Sequence, residues 1–162
     1  MPAPVRLLHF SHIGESLPRV EDDALVRGRG RFAADLSLPG LAYAAFARSP
    51  IARAQRLQLR TAAAENFPGV LSVVTAPAIA ALGMLAVNST ASGMRVFQRP
   101  LLAVDRLNAV GEAVALIVAE TPHAAQQAAD LVELDYEALE PAAELAAAMA
   151  GPPLFAEGPD NE

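Results

Sequence analysis

Val110 to Tyr136 reads VGEAVALIVAETPHAAQQAADLVELDY, and this stretch decides the fold. Ala113 to Ala119 (AVALIVA) is an uncharged apolar run bounded by Glu112 and Glu120, the pattern of a buried strand. Thr121-Pro122 follows. The threonine can cap a helix, and proline at the first helical position gives up an N–H that would have no partner there. Pro122 to Asp130 then reads as a short helix with Ala124, Ala128 and Leu131 on one stripe. Leu131 to Tyr136 (LVELDY) alternates as a strand, with Leu131 alternatively ending the helix. Strand, helix and strand so close together make a compact α/β unit.

Upstream, similar punctuation recurs. The opening residues read as an extended lead-in as far as Leu17-Pro18-Arg19. Arg31 to Asp35 reads as a short strand, and Leu38-Pro39-Gly40 as a turn. Leu41 to Ala47 is an apolar strand stopped by Arg48-Ser49-Pro50, and Gln55 to Leu59 alternates like another. Thr61 to Asn66 suits a turn or two of helix, and Val70 to Val74 (VLSVV) a central strand. Thr75 is placed to cap a helix through Leu82, with Pro77 in its first turn and Gly83 past its end. Asn88 to Gly93 reads as a loop, Ala142 to Ala150 as a final helix, and the residues after Gly151 as a loose tail. The expected division is a lead-in over 1–12, one domain over 13–150 and a tail over 151–162.

Hydrophobic residues make up 53% of the 162 residues, enough for a packed core. Much of that share is alanine, which buries little area, so the core is expected to lean on partner surfaces as well as on itself. The net charge of −6 argues against a phosphate-backbone partner, and no nucleic-acid binding is expected. All 12 basic residues are arginine. Forked contacts to carboxylates or phosphates account for that, and so does a GC-rich genome. Without cysteine there is no thiolate zinc site, iron–sulfur ligand, disulfide or cysteine nucleophile. The uncharged run Asn66 to Met94 is too broken by Pro68, Gly69, Pro77 and Gly83 to span a membrane. The N-terminus lacks the apolar run of a signal peptide, so a cytoplasmic location is expected.

Isolated chemical motifs carry little. Gly28 to Ala33 (GRGRFA) formally matches a dinucleotide fingerprint, but Pro39-Gly40 follows where a helix should continue, and no acid lies between Leu36 and Ala64. Arg27, Arg29 and Arg31 alternate, which suits a phosphate clamp or, more plainly, pairing with Glu21, Asp22 and Asp23. His9 and His12 lie in an extended segment with no third ligand nearby, and His123 opens a helix. Glu112, Glu120, Asp135 and Glu137 bracket the C-terminal unit, where strand ends ordinarily carry charge. Ser11 and Ser49 lack a nucleophile-elbow setting, and a chain without lysine has no Walker-type loop. The residues by themselves assign no catalytic, cofactor-binding or metal-ligating position.

The order of the motifs says more. Ile13 to Asp22 (IGESLPRVED) leads into Arg27 to Asp35 (RGRGRFAAD). Pro39-Gly40-Leu41, Arg48-Ser49-Pro50, Ala52-Arg53-Ala54, Pro68-Gly69-Val70, Val74-Thr75-Ala76 and Pro100 to Ala103 follow. Val110 to Ala115 (VGEAVA), Val118 to Thr121 (VAET) and Asp135-Tyr136-Glu137 complete the series. This succession resembles the opening domain of the large chain in the xanthine dehydrogenase, aldehyde oxidase and carbon monoxide dehydrogenase family of molybdenum hydroxylases. Ile51 departs from it, because relatives often carry histidine or another polar or aromatic residue after Ser-Pro.

The resemblance implies an α+β fold, the α/β-hammerhead, with a small mixed sheet and packed helices. It implies a non-catalytic scaffold, either a separate subunit or an isolated domain, that packs against the molybdopterin-binding portion. The family's assemblies carry molybdopterin, FAD and [2Fe–2S] clusters, the last two on companion subunits or domains. The cofactor loops and the catalytic glutamate belong to the part expected beyond Glu162, so none of them is carried over. Arg19, Arg48, Ser49 and Pro50 are the candidate contacts across that boundary. A free-standing binding module on the same fold is the alternative.

Overall fold

The strongest strand of the sequence organises the structure from the middle of a sheet. In the computed structural model, which describes residues 14–85 and 97–155, the chain divides into two units, Met1–Pro39 and Gly40–Glu162.

The described part of the first unit is an arm without a buried residue. Helix α1 (Asp22–Val26) opens with Asp22 accepting a 2.9 Å hydrogen bond from the Arg19 N–H. Asp23 gathers two guanidiniums, Arg27 at 2.7 Å and Arg29 at 3.0 Å. The arginine row is thus partly tied to the acids preceding it. The expected strand over Arg31–Asp35 is instead a 3-10 turn, Ala33–Asp35. Its cause is local: the Asp35 carboxylate accepts the Phe32 N–H at 2.9 Å and the Asp35 N–H returns to the Phe32 carbonyl at 3.0 Å. Side chain and backbone close the turn. Gly28 to Ala33 therefore joins a helix to a turn, not a strand to a helix.

In the second unit, β1 (Tyr43–Arg48), β2 (Ala54–Arg60) and β3 (Val70–Thr75) alternate with α2 (Ala62–Glu65) between the last two. A 3-10 helix over Ala76–Leu82 stands where the Thr75-capped helix was expected. Short strands β4 (Met84–Leu85), β5 (Arg99–Pro100) and β6 (Arg106–Leu107) follow, then β7 (Ala113–Ala119), α3 (Pro122–Asp130), β8 (Glu133–Ala138) and α4 (Leu145–Ala150). The loop expected at Asn88–Gly93, most of the lead-in and the end of the tail lie outside the described residues.

The α+β class holds. In detail, the single mixed sheet becomes several small ones, ordered β1-β7-β3, β6-β2-β8 and β4-β5. Every pairing among the described residues is antiparallel. Strand β7 is central, so the Val70 to Val74 run, expected there, sits at an edge. β7 and β8 also belong to different sheets, so the strand–helix–strand unit bridges two sheets instead of building one.

One core joins the two larger sheets. Ala47 of β1, Ala54 of β2, Val114, Ala115 and Ile117 of β7 and Ala128 and Ala129 of α3 pack together, with Leu57, Leu59 and Leu134 at its border. Thr121 caps α3 through its hydroxyl, which accepts the Ala124 N–H at 3.1 Å. That fixes the helix start and turns the alanine face, Ala124, Ala125, Ala128 and Ala129, inward. Small side chains let helix and sheet approach closely but bury little area each. Leu107 and Ile117 are the largest side chains that are fully buried.

On the outer face of β2 and β8, charge replaces hydrophobicity. Arg60 reaches Glu133 at 2.9 Å and Asp135 at 3.1 Å, and Arg56 reaches Glu137 at 3.0 Å. A bulge between Gln55 and Gln58 places Arg56 at φ 55. All these groups are well exposed, so the ladder contributes on the order of 1 kcal/mol per pair or less.

Candidate interface site

The chain leaves β1 and enters β2 through Arg48 to Arg53, and this corner carries most of the candidate contacts. A register shift between Ala47 and Arg48 ends the regular pairing with β7. Beyond it, Ser49 turns inward and is 3% exposed, the one buried polar residue among those described. Its hydroxyl donates to the Ile51 carbonyl at 2.8 Å and accepts the Ile51 N–H at 3.1 Å. Its own N–H donates to the Glu112 carbonyl at 2.8 Å, and its carbonyl accepts the Gly111 N–H at 2.9 Å. Burial without unsatisfied groups is the result. Ser49 thereby locks the corner, and its hydroxyl is already engaged within its own chain.

Arg48 points outward. Its Nη1 donates to the Gly111 carbonyl at 2.7 Å, and its guanidinium lies 5.3 Å from the centre of the Phe46 ring. Both contacts hold the side chain while leaving it exposed, a preorganised cation with spare donors. Pro50 is exposed beside it. Arg48 and Pro50 share a shallow cavity of about 440 Å³ with Phe46, Asp130 and Leu134. Arg19 belongs to the first unit, Met1–Pro39.

Sequence reasoning missed the other half of the corner. Gly111, at φ 84, makes the turn that brings its carbonyl to Arg48 and its N–H to Ser49. The Glu112 carboxylate accepts the Asn108 N–H at 3.0 Å and so braces the same turn. The available signal was Gly111-Glu112 directly before the strongest strand.

A second cleft, of about 700 Å³, lies on the other side of that turn. β4, β5, the segment before β7 and Leu154-Phe155 form its walls. The Phe155 ring stacks on Phe97 at 4.8 Å, and the Arg99 guanidinium lies 5.9 Å from the Phe155 ring centre. Arg48 borders both cavities.

The bracketing carboxylates do not converge on one site. Asp135 and Glu137 are held in the ladder by Arg60 and Arg56, and Glu112 by the Asn108 amide. No group of three or more His, Asp or Glu able to hold a metal occurs among the described residues. With no cysteine in the sequence, the chain has no thiolate ligands for an iron–sulfur cluster. His123 is exposed on α3, and His9 and His12 lie outside the described residues. No helix among the described residues is long and apolar enough to cross a membrane.

The sequence and the fold match a known group. The sequence profile described as "Aldehyde oxidase and xanthine dehydrogenase, a/b hammerhead domain" matches residues 27–140. The chain is 40% identical over 151 residues to the nicotine 6-hydroxylase large subunit of Paenarthrobacter nicotinovorans, covering 92% of this chain and 18% of that one. It is 33% identical to the carbon monoxide dehydrogenase large chain of Afipia carboxidovorans, covering 75% of this chain and 14% of that one. The solved structure of quinoline 2-oxidoreductase from Pseudomonas putida 86 superposes with a TM-score of 0.76 at 37% identity, over 85% of this chain and 18% of that one. The chain thus spans less than a fifth of the length of these relatives. It belongs to the a/b hammerhead domain family of the aldehyde oxidases and xanthine dehydrogenases.

Proposed function

We propose that this chain is the hammerhead scaffold of a molybdenum hydroxylase and orients a molybdopterin-binding portion without doing chemistry itself. The observation that carries the proposal is the match to large subunits of such oxidoreductases over most of this chain but only 18% of theirs. One further feature supports it. The core is thin and alanine-rich while large apolar side chains such as Val20, Val26 and Phe32 stay exposed, as expected of a domain completed by a partner surface.

In this reading the assembly carries molybdopterin, FAD and [2Fe–2S] clusters and hydroxylates aldehydes or N-heterocycles or oxidises carbon monoxide. The scaffold spans residues 13–150. The Arg48–Pro50 corner supplies contacts: Arg48 through its guanidinium, Pro50 through its exposed ring, and Ser49 through the corner shape it locks. Arg19 contributes from the arm.

Arg48→Ala tests the assignment in a co-purification with the molybdopterin-binding partner. A desolvated arginine anchor is worth about 2 kcal/mol or more, so the variant should recover much less partner than the wild type. Unchanged recovery would remove Arg48 from the interface.

A further inference from the structure

The second cleft holds cations that nothing within the described chain neutralises. Arg27, Arg29, Arg56 and Arg60 each meet a carboxylate, and Arg48 and Arg53 donate to the Gly111 and Glu140 carbonyls. Arg99 and Arg106 do neither among the described residues. Arg99 has only the face of Phe155, and both arginines are exposed and line the cleft of about 700 Å³. Two acids share the walls, Glu112, which accepts the Asn108 N–H, and the exposed Asp105. Exposed apolar side chains share the wall with them: Met84, Leu85, Val104 and Val110, the last 65% exposed.

A recess lined by three arginines and two acids, in a chain of net charge −6, selects its occupant by charge. An acidic partner is repelled by most of this chain and attracted here, so the recess can fix orientation as well as affinity. Guanidiniums match carboxylates in geometry and shed hydration more readily than ammonium groups. Phe155, stacked on Phe97, lines the cleft and offers a ring against which an aliphatic or aromatic side chain can pack.

We propose that this cleft receives an acidic peptide segment of the molybdopterin-binding partner, its carboxylates meeting Arg99 and Arg106 and flanking apolar side chains covering Val104 and Val110. The proposal rests on the scaffold reading and adds to it a surface that adjoins the Arg48–Pro50 corner at Arg48, together with the chemistry of its occupant.

The test is titration calorimetry of the wild-type chain, Arg99→Glu, Arg106→Glu and Val110→Glu into the purified partner, at low and high salt. Gln127→Glu, on α3 away from the cleft, controls for added negative charge. Each arginine reversal should weaken binding about ten-fold or more and flatten its salt dependence. Val110→Glu should weaken it as well, and because this side chain is exposed, the variant gives a result even if an arginine variant misfolds. Gln127→Glu should bind like the wild type. If the wild type binds and the cleft variants bind equally well, the cleft assignment falls and the scaffold reading stands. If the wild type binds no such partner, the scaffold reading falls and takes the cleft with it. Inorganic pyrophosphate is titrated into the isolated chain in parallel. Tight uptake that Arg99→Glu abolishes would mean a phosphate-binding cleft and would overturn the peptide assignment.

Discussion

Arg48 and Gly111 stand 63 residues apart, and a 2.7 Å hydrogen bond from guanidinium to carbonyl ties the exit of β1 to the turn before β7. The bond is exposed, so its share of folding stability is small. Arg48→Ala should cost about 1 kcal/mol and lower Tm by roughly 2–4 °C. Assembly should suffer far more than stability. Thermal melts of the chain beside partner recovery separate the two, and a large fall in Tm would make Arg48 a folding residue instead.

Ser49 inverts that balance. Replacing it by alanine leaves the Ile51 N–H and carbonyl without their hydroxyl partner inside a site that is 3% exposed. A cost of about 1–3 kcal/mol follows. Denaturant melts should show it in the isolated chain, with no partner present. A loss seen only in the complex would contradict the internal role assigned here.

Leu107 and Ile117 are the largest fully buried side chains among the described residues, and most of the buried residues around them are alanine, so the core has little to spare. Ile117→Ala should cost about 2–5 kcal/mol, enough to unfold much of a marginal domain. Ala128→Leu, on the fully buried face of α3, should cost about 1–3 kcal/mol by overpacking. Circular dichroism of both variants at rising temperature checks the pair.

Several elements were legible because local chemistry and tertiary need agree. Ala113 to Ala119 has no charge and is central, and Thr121-Pro122 starts α3 where the capping rules place it. The failures share a cause, which is that the deciding partner is distant or the element too short. β4, β5 and β6 are two residues each and show no periodicity. The Arg31–Asp35 segment reads as a short strand, but Asp35 closes a turn within it. Arg48 and Ser49 are both polar in sequence. Only the Gly111–Glu112 turn, far along the chain, decides that one is buried and the other exposed. Arg99 and Arg106 look unremarkable singly and become a feature when the fold sets them on one cleft.

The Arg60 ladder offers a contrast between decoration and design. Arg60→Ala removes contacts to Glu133 and Asp135 between groups that are more than half exposed. It should cost about 1 kcal/mol or less in dilute buffer. In about 1 M salt, where the screening length shrinks to about 3 Å, the difference from wild type should vanish. Urea melts at the two salt concentrations measure it.

The central claim is that this chain serves as scaffold to a molybdenum-containing assembly. Purification of the tagged chain from its native cells, followed by metal and flavin analysis of what accompanies it, tests that most directly. The account predicts molybdenum, iron and FAD in fixed proportion to the chain, all lost when the partners are stripped away. A metal-free, flavin-free monomer would contradict it.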